Sequence, residues 1–170
     1  MQFFDLVAFP VNSADRVAER LGYKRMFVAG KDVELLEDAG AASASKKIIR
    51  SDDFETINRS LRQNSVLGII PKSALPSGKA LEAIKESEKL LFIRLCGATC
   101  ADGAARPQEL AKTRRLIRSA LMGKVPFALV SLAESRECLM SSLQVLEVAQ
   151  FLGVDAARAK EALGRLGGLI

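Results

Sequence analysis

Between Lys46 and Ser73 the chain reads KKIIRSDDFETINRSLRQNSVLGIIPKS, and this stretch restricts the fold more than any other. Ile48-Ile49-Arg50 has the β-branched character of a short buried strand. Ser51-Asp52 breaks that pattern with side chains suited to a helix N-terminus, and Asp52 followed by Glu55 predicts a capping box. Phe54, Ile57 and Leu61 then fall on one helical face, while Glu55, Asn58, Arg59 and Arg62 point elsewhere. After Gln63-Asn64-Ser65, the apolar run Val66–Ile70 ends at Pro71; it has strand length and suits a parallel strand covered on both faces. The unit is strand, helix, strand, and a parallel pair built this way takes a right-handed crossover.

The same alternation extends in both directions. Phe3 to Phe9 predicts a first strand stopped by Pro10, with Asp5 inside it either as an inward functional carboxylate or as a partnered or solvated strand charge. Ser13 is placed to cap a helix with Val17 and Leu21 on one face, and Gly22 to end it. Arg25 to Val28 gives a second strand. Asp32 to Ser45, with its AGAASAS tract, reads as a helical turn and a loop. Beyond the central unit come a helix over 79–87 with Leu81 and Ile84 inward, a strand over 90–95, a loop over 96–107, a helix over 108–122 and a strand over 125–130. Arg94 stands either at a strand end or on the exposed side of an edge. On the 108–122 helix, Leu110, Ile117 and Leu121 face the core, and Lys112, Arg115 and Arg118 form a basic outer face that phosphates or solvent could cover. Two helices finish the chain: one over 141–152, and one capped by Asp155 with Ala156, Ala159, Leu163 and Leu166 inward.

Repeated βα units with short connections predict an α/β fold, a parallel sheet or barrel with outer helices. The 170 residues form a single domain over 1–170, and 49% apolar residues suffice for a core. Six strands are few for a complete eight-fold barrel, so the expectation is a compact or incomplete TIM-barrel-like fold.

The chain contains no histidine. Ser-His-Asp and Cys-His nucleophile systems are therefore excluded, as are histidine-rich metallohydrolase sites. No carboxylate cluster at ligand spacing, P-loop or GxGxxG is visible, so the sequence assigns neither a metal nor a catalytic residue. Cys96, Cys100 and Cys138 lack the paired spacing of zinc or redox motifs and read as reduced, partly buried thiols. A net charge of +5 leans toward polyanions. With no apolar run of about 18 residues and no charged-then-apolar leader, the reading is cytoplasmic, without a membrane partner. A rival reading attaches to EVAQFLGVDAARAKEAL, where Ala149 and Gly153 have helix-turn-helix spacing. Asp155, Ala156, Ala157 and Glu161 are a poor set for base edges, and a glycine turn between helices is commoner as plain packing.

With these segments in order, FDLVAFP, LGYKRMFVAG, IIRSDDFETINRSL, VLGIIPKS, FALVSLAES and LEVAQFLGV together resemble RNase P protein component 3 along almost the whole chain. This family is the archaeal counterpart of the thirty-kilodalton eukaryotic RNase P subunit, and its fold is a TIM-barrel-like relative of the PHP phosphoesterases. Gly78-Lys79-Ala80 stands where the family often has an Asp-His pair, and Met140-Ser141-Ser142 where it often has Arg-x-Pro. The resemblance implies a non-catalytic subunit of a ribonucleoprotein endonuclease, binding and stabilising the RNA that removes the 5′ leader from precursor tRNA. It implies RNase P RNA, precursor tRNA and a Pop5-type subunit as partners, no cofactor in the protein, and Mg2+ for the RNA catalyst. Lysine and arginine in strand-end loops would then replace counterions on phosphate. That nominates Lys46, Lys47, Arg50, Lys72, Lys79, Arg94, Arg106 and Arg136, with Arg59 and Arg62 on an exposed helix face behind them. The alternatives are a small barrel enzyme acting on a phosphorylated metabolite and a DNA-binding protein using the C-terminal helices.

Overall fold

The described residues form seven strands and seven α-helices, mostly in βα order, and every strand pair runs parallel. The structure is a computed structural model that describes residues 2–11, 13–37, 45–72 and 75–169. The strands are β1 (Phe4–Val7), β2 (Arg25–Val28), β3 (Glu34–Leu36), β4 (Lys47–Arg50), β5 (Val66–Ile70), β6 (Leu90–Arg94) and β7 (Phe127–Val130). The helices are α1 (Ala14–Arg20), α2 (Phe54–Leu61), α3 (Gly78–Glu86), α4 (Cys96–Cys100), α5 (Ala105–Gly123), α6 (Ser142–Phe151) and α7 (Ala156–Gly164).

Strands β3 to β7 form one sheet in sequence order, and β1 pairs with β2 in another. The two sheets join at the first and last strands, where Leu132 N–H donates to Leu6 O at 2.9 Å and Ala8 N–H to Ala133 O at 2.8 Å. On the other side a single bridge, Ala29 to Val33, links the end of β2 to the approach of β3. The result is a compact, incompletely closed barrel, as the βα repetition predicts.

Alternation along the strands divides the core into two layers. Leu6, Phe27, Ile48, Ile70, Phe92 and Val130 belong to the cluster that fills the barrel. Val7, Val28, Ile49, Ile69, Ile93 and Leu129 belong to the layer beneath the helices, with Ile57, Ile84, Ile117, Val145 and Leu163 from the helical side. At the strands' N-terminal end, a 3-10 turn over Arg165–Gly168 follows α7 and places Leu166 in the barrel cluster beside Phe4. Gly167 lies so close to the Phe4 ring that a Cβ there would overlap it. We call this end the base and the opposite, C-terminal end the mouth.

The structure corrects several local readings. Asp53, not Asp52, caps α2, its carboxylate accepting from Thr56 N–H at 2.8 Å, while Asp52 accepts from Lys72 N–H at 2.8 Å. Ser13 sits at the start of α1 with φ 56° and makes no capping bond. Glu34–Leu36 is a strand where a helical turn was expected; residues 38–44 of that tract lie outside the described residues. Cys96–Cys100 is helical rather than loop. Ser141 and Gln144 form a capping box on α6 that the sequence reading missed.

Candidate nucleic-acid interface

Because all strands run the same way, each strand-to-helix connection opens at the mouth, and helices α1, α2, α3 and α5 return the chain to the base. This sorts the ten nominated cations. Arg50 ends β4, Lys72 follows β5, Lys79 lies in the first turn of α3, Arg94 ends β6, Arg106 opens α5, and Arg136 lies in the 3-10 turn after β7. These six gather around the mouth. Lys46 and Lys47 precede or begin β4 and lie at the base, with Arg62 at the C-terminal end of α2 and Arg59 in that helix's last turn. Lys47 is only 2% exposed, so it cannot be presented to a phosphate, and its nomination is withdrawn.

At the mouth, cations alternate with carboxylates. Lys72 Nζ lies 2.9 Å from Glu37 and Arg94 Nη1 3.1 Å from Glu134. Arg94 therefore stands at a strand end, not on an exposed edge, since β6 is flanked by β5 and β7. Arg106 is committed locally: its guanidinium donates to Ala101 O at 3.0 Å and Thr99 O at 3.2 Å, holding the carbonyls at the end of α4. Arg50, Lys79 and Arg136 carry no ion pair among the described residues.

Two further cations enter from α5. Lys112 and Arg115 line a cavity of about 310 Å³ together with Lys72, Arg94, Leu75 and Leu116, and Ile70 and Phe92 of the barrel lie behind it. Lys112 pairs with Glu109 at 2.7 Å, whereas Arg115 has no carboxylate partner among the described residues. Their three-residue spacing on the helix that follows β6 was the signal; it identified a basic face without saying that the face borders the mouth. Arg114 and Arg118, with Leu121 and Leu152, border a separate groove of about 280 Å³.

Asp5 is fully buried and belongs to the seam, not to the mouth. Its carboxylate accepts from Leu6 N–H at 2.8 Å, Ser131 N–H at 2.7 Å and Ser131 Oγ at 2.5 Å. Burial pushes its pKa up to about 6, against the lowering effect of these bonds. Of the two readings, the partnered strand charge is the one observed.

The three thiols are free and gather between α4 and the 3-10 turn at Arg136–Cys138. Cys96 Sγ donates to Leu132 O at 3.1 Å, and burial pushes that thiol up to about 11. Burial also raises Cys100, which is hydrogen-bonded to Cys138. Such thiols are poor nucleophiles at neutral pH. Among the described residues no group of three or more cysteines or carboxylates could hold a metal ion, and no helix is long and apolar enough to cross a membrane. Helix α7 packs against β7 and β1 through Ala159, Ala162 and Leu163, so the helix proposed to enter a DNA groove serves as a barrel helix.

No protein-family model and no curated protein matches the chain. Solved structures do. A chain in the cryo-EM structure of archaeal Ribonuclease P with mature tRNA is similar at a TM-score of 0.66, with 12% identity over 99% of this chain and 80% of that one. The crystal structure of A. niger ochratoxinase is similar at a TM-score of 0.55 and 11% identity; this chain spans 95% of its own length but only 51% of that one. At such identities the likeness establishes the fold alone: an α/β chain of βα units arranged as an incomplete barrel.

Proposed function

We propose that this protein is a subunit of ribonuclease P, binding and stabilising the catalytic RNA that removes the 5′ leader from precursor tRNA. The observation that carries this reading is the likeness, over 99% of the chain, to a chain from an archaeal ribonuclease P complex. The mouth supports it chemically, since Arg50, Lys79 and Arg115 make no ion pair among the described residues and so offer their charge to phosphate. Phosphate contacts of this kind release condensed counterions, so affinity for structured RNA falls steeply with salt. Hydrolysis resides in the RNA, served by Mg2+, and the protein works beside a Pop5-type subunit and the precursor tRNA. Among the described residues, no group in the mouth pairs a nucleophile with a base, and the one carboxylate strongly raised in pKa, Asp5, is sealed in the seam.

The test is recovery of the tagged protein from its native extract, assayed for 5′-leader cleavage of a precursor tRNA before and after nuclease treatment. Cleavage that co-purifies and disappears when the RNA is destroyed is the expected result. If neither cleavage nor RNA is recovered at low salt, the likeness marks a shared barrel, and the mouth serves some other anion.

A further inference from the structure

The cavity beside α5 combines two properties that simple counterion replacement does not require. It is enclosed enough to hold about 310 Å³, and its near wall is apolar, made by Pro71, Leu75 and Leu116 in front of Phe92. Leu75 leaves 49% of its surface exposed there. Three of the bordering cations are paired with Glu37, Glu134 and Glu109, which leaves Arg115 as the lining cation without a carboxylate partner among the described residues. A duplex backbone could reach Arg115 but would leave the apolar wall uncovered. A sugar phosphate could bond to Glu109 and Lys112, which also line the cavity, but would leave the apolar wall uncovered. A nucleotide freed from base pairing carries both an anion and a flat, largely apolar ring of fitting size.

We propose that this cavity takes one unpaired nucleotide of an RNA, the base lying against Leu75, Pro71 and Leu116 and the phosphate on Arg115. This rests on the RNA-binding reading and deepens it, because it names the part of the RNA that the mouth selects. The protein would accordingly favour RNA with a bulged or looped-out base over an unbroken duplex of equal charge.

The test uses the full chain titrated calorimetrically with adenosine monophosphate, ribose 5-phosphate and inorganic phosphate. The expected order places adenosine monophosphate at least about tenfold tighter than ribose 5-phosphate, the margin a base contact supplies. Arg115→Glu, at an exposed position, weakens adenosine monophosphate at least about tenfold, while Lys46→Glu at the base leaves it within about twofold. Equal binding of ribose 5-phosphate and adenosine monophosphate overturns the proposal, leaving an anion site without a base pocket. So does equal loss in the two variants, or no saturation by about 10 mM nucleotide. A parallel titration with structured RNA separates the two readings. Tight RNA binding without nucleotide binding removes the pocket and leaves the subunit reading standing. Nucleotide binding with neither RNA affinity nor leader cleavage removes the subunit reading, and with it the assignment of the nucleotide to an RNA.

Discussion

Asp5 lies where the first and last strands meet, and its carboxylate receives the Ser131 N–H as a neighbouring strand's carbonyl would. With a pKa of about 6 against the ordinary 3.8, its neutral form is the one folding favours. This contribution is fully present below pH 3.8 and is lost as the pH rises through about 6; the shift corresponds to about 3 kcal/mol. Asp5→Asn keeps the shape and removes the titration. Denaturant unfolding of both proteins should show wild type losing about 2 kcal/mol of stability relative to the variant between pH 4.5 and 7.5, the first part of the shift being lost already below that window. A difference that stays constant with pH would contradict this account. The sequence showed that a carboxylate in an apolar strand needs a partner, but the partner lies 126 residues away and could not be read from local pattern. The exchange of roles between Asp52 and Asp53 has a similar origin, since the Lys72 N–H that engages Asp52 comes from the next unit.

Among the elements, the pairing of β5 with β6 depends on Gly68. A Cβ there would overlap the Leu90 carbonyl oxygen and come within 2.8 Å of the Phe92 ring. Gly68→Ala should therefore cost about 3 kcal/mol, measured by chemical denaturation. Gly78→Ala, where a new Cβ meets nothing within 4 Å, should remain within about 1 kcal/mol of wild type or stabilise α3. Strands β4 to β7 and helices α2, α3 and α5 were legible because each shows its buried face over a full turn or more of periodic sequence. Strand β3 was not, because Glu34-Leu35-Leu36 is three half-buried residues, too short to show alternation. Helix α4 was hidden by Gly97 and Thr99, poor helix formers that form one turn only because Leu95 and Cys96 are anchored by Val130 and Ser131 carbonyls of the β7 segment.

For the whole molecule, parallel strands give the barrel two chemically different ends, and the nominated cations fall on both. If the mouth is the RNA surface, Arg50→Glu and Lys79→Glu should each lower affinity for structured RNA about tenfold and reduce the salt slope by about one. Lys46→Glu and Arg62→Glu should stay within about twofold, and filter binding across a salt series distinguishes the outcomes. The reverse pattern would move the interface to the base. The sequence nominated the cations by their nearness to strand ends but could not say which end, and so included the buried Lys47. It also left out Arg115, because a basic helix face has no orientation until the barrel supplies one.

The seam between β1 and β7 and the Leu166 turn beneath Phe4 also govern how the chain reaches this state. Contacts so remote in sequence form late in a growing polypeptide. Until Ser131 has left the ribosome, β1 has no partner on its outer side, and until Leu166 follows, the barrel's interior stays open at the base. Until those two segments emerge, the nascent protein thus carries an unpaired sheet edge and an uncovered apolar interior, the state in which chaperone capture and aggregation compete with folding.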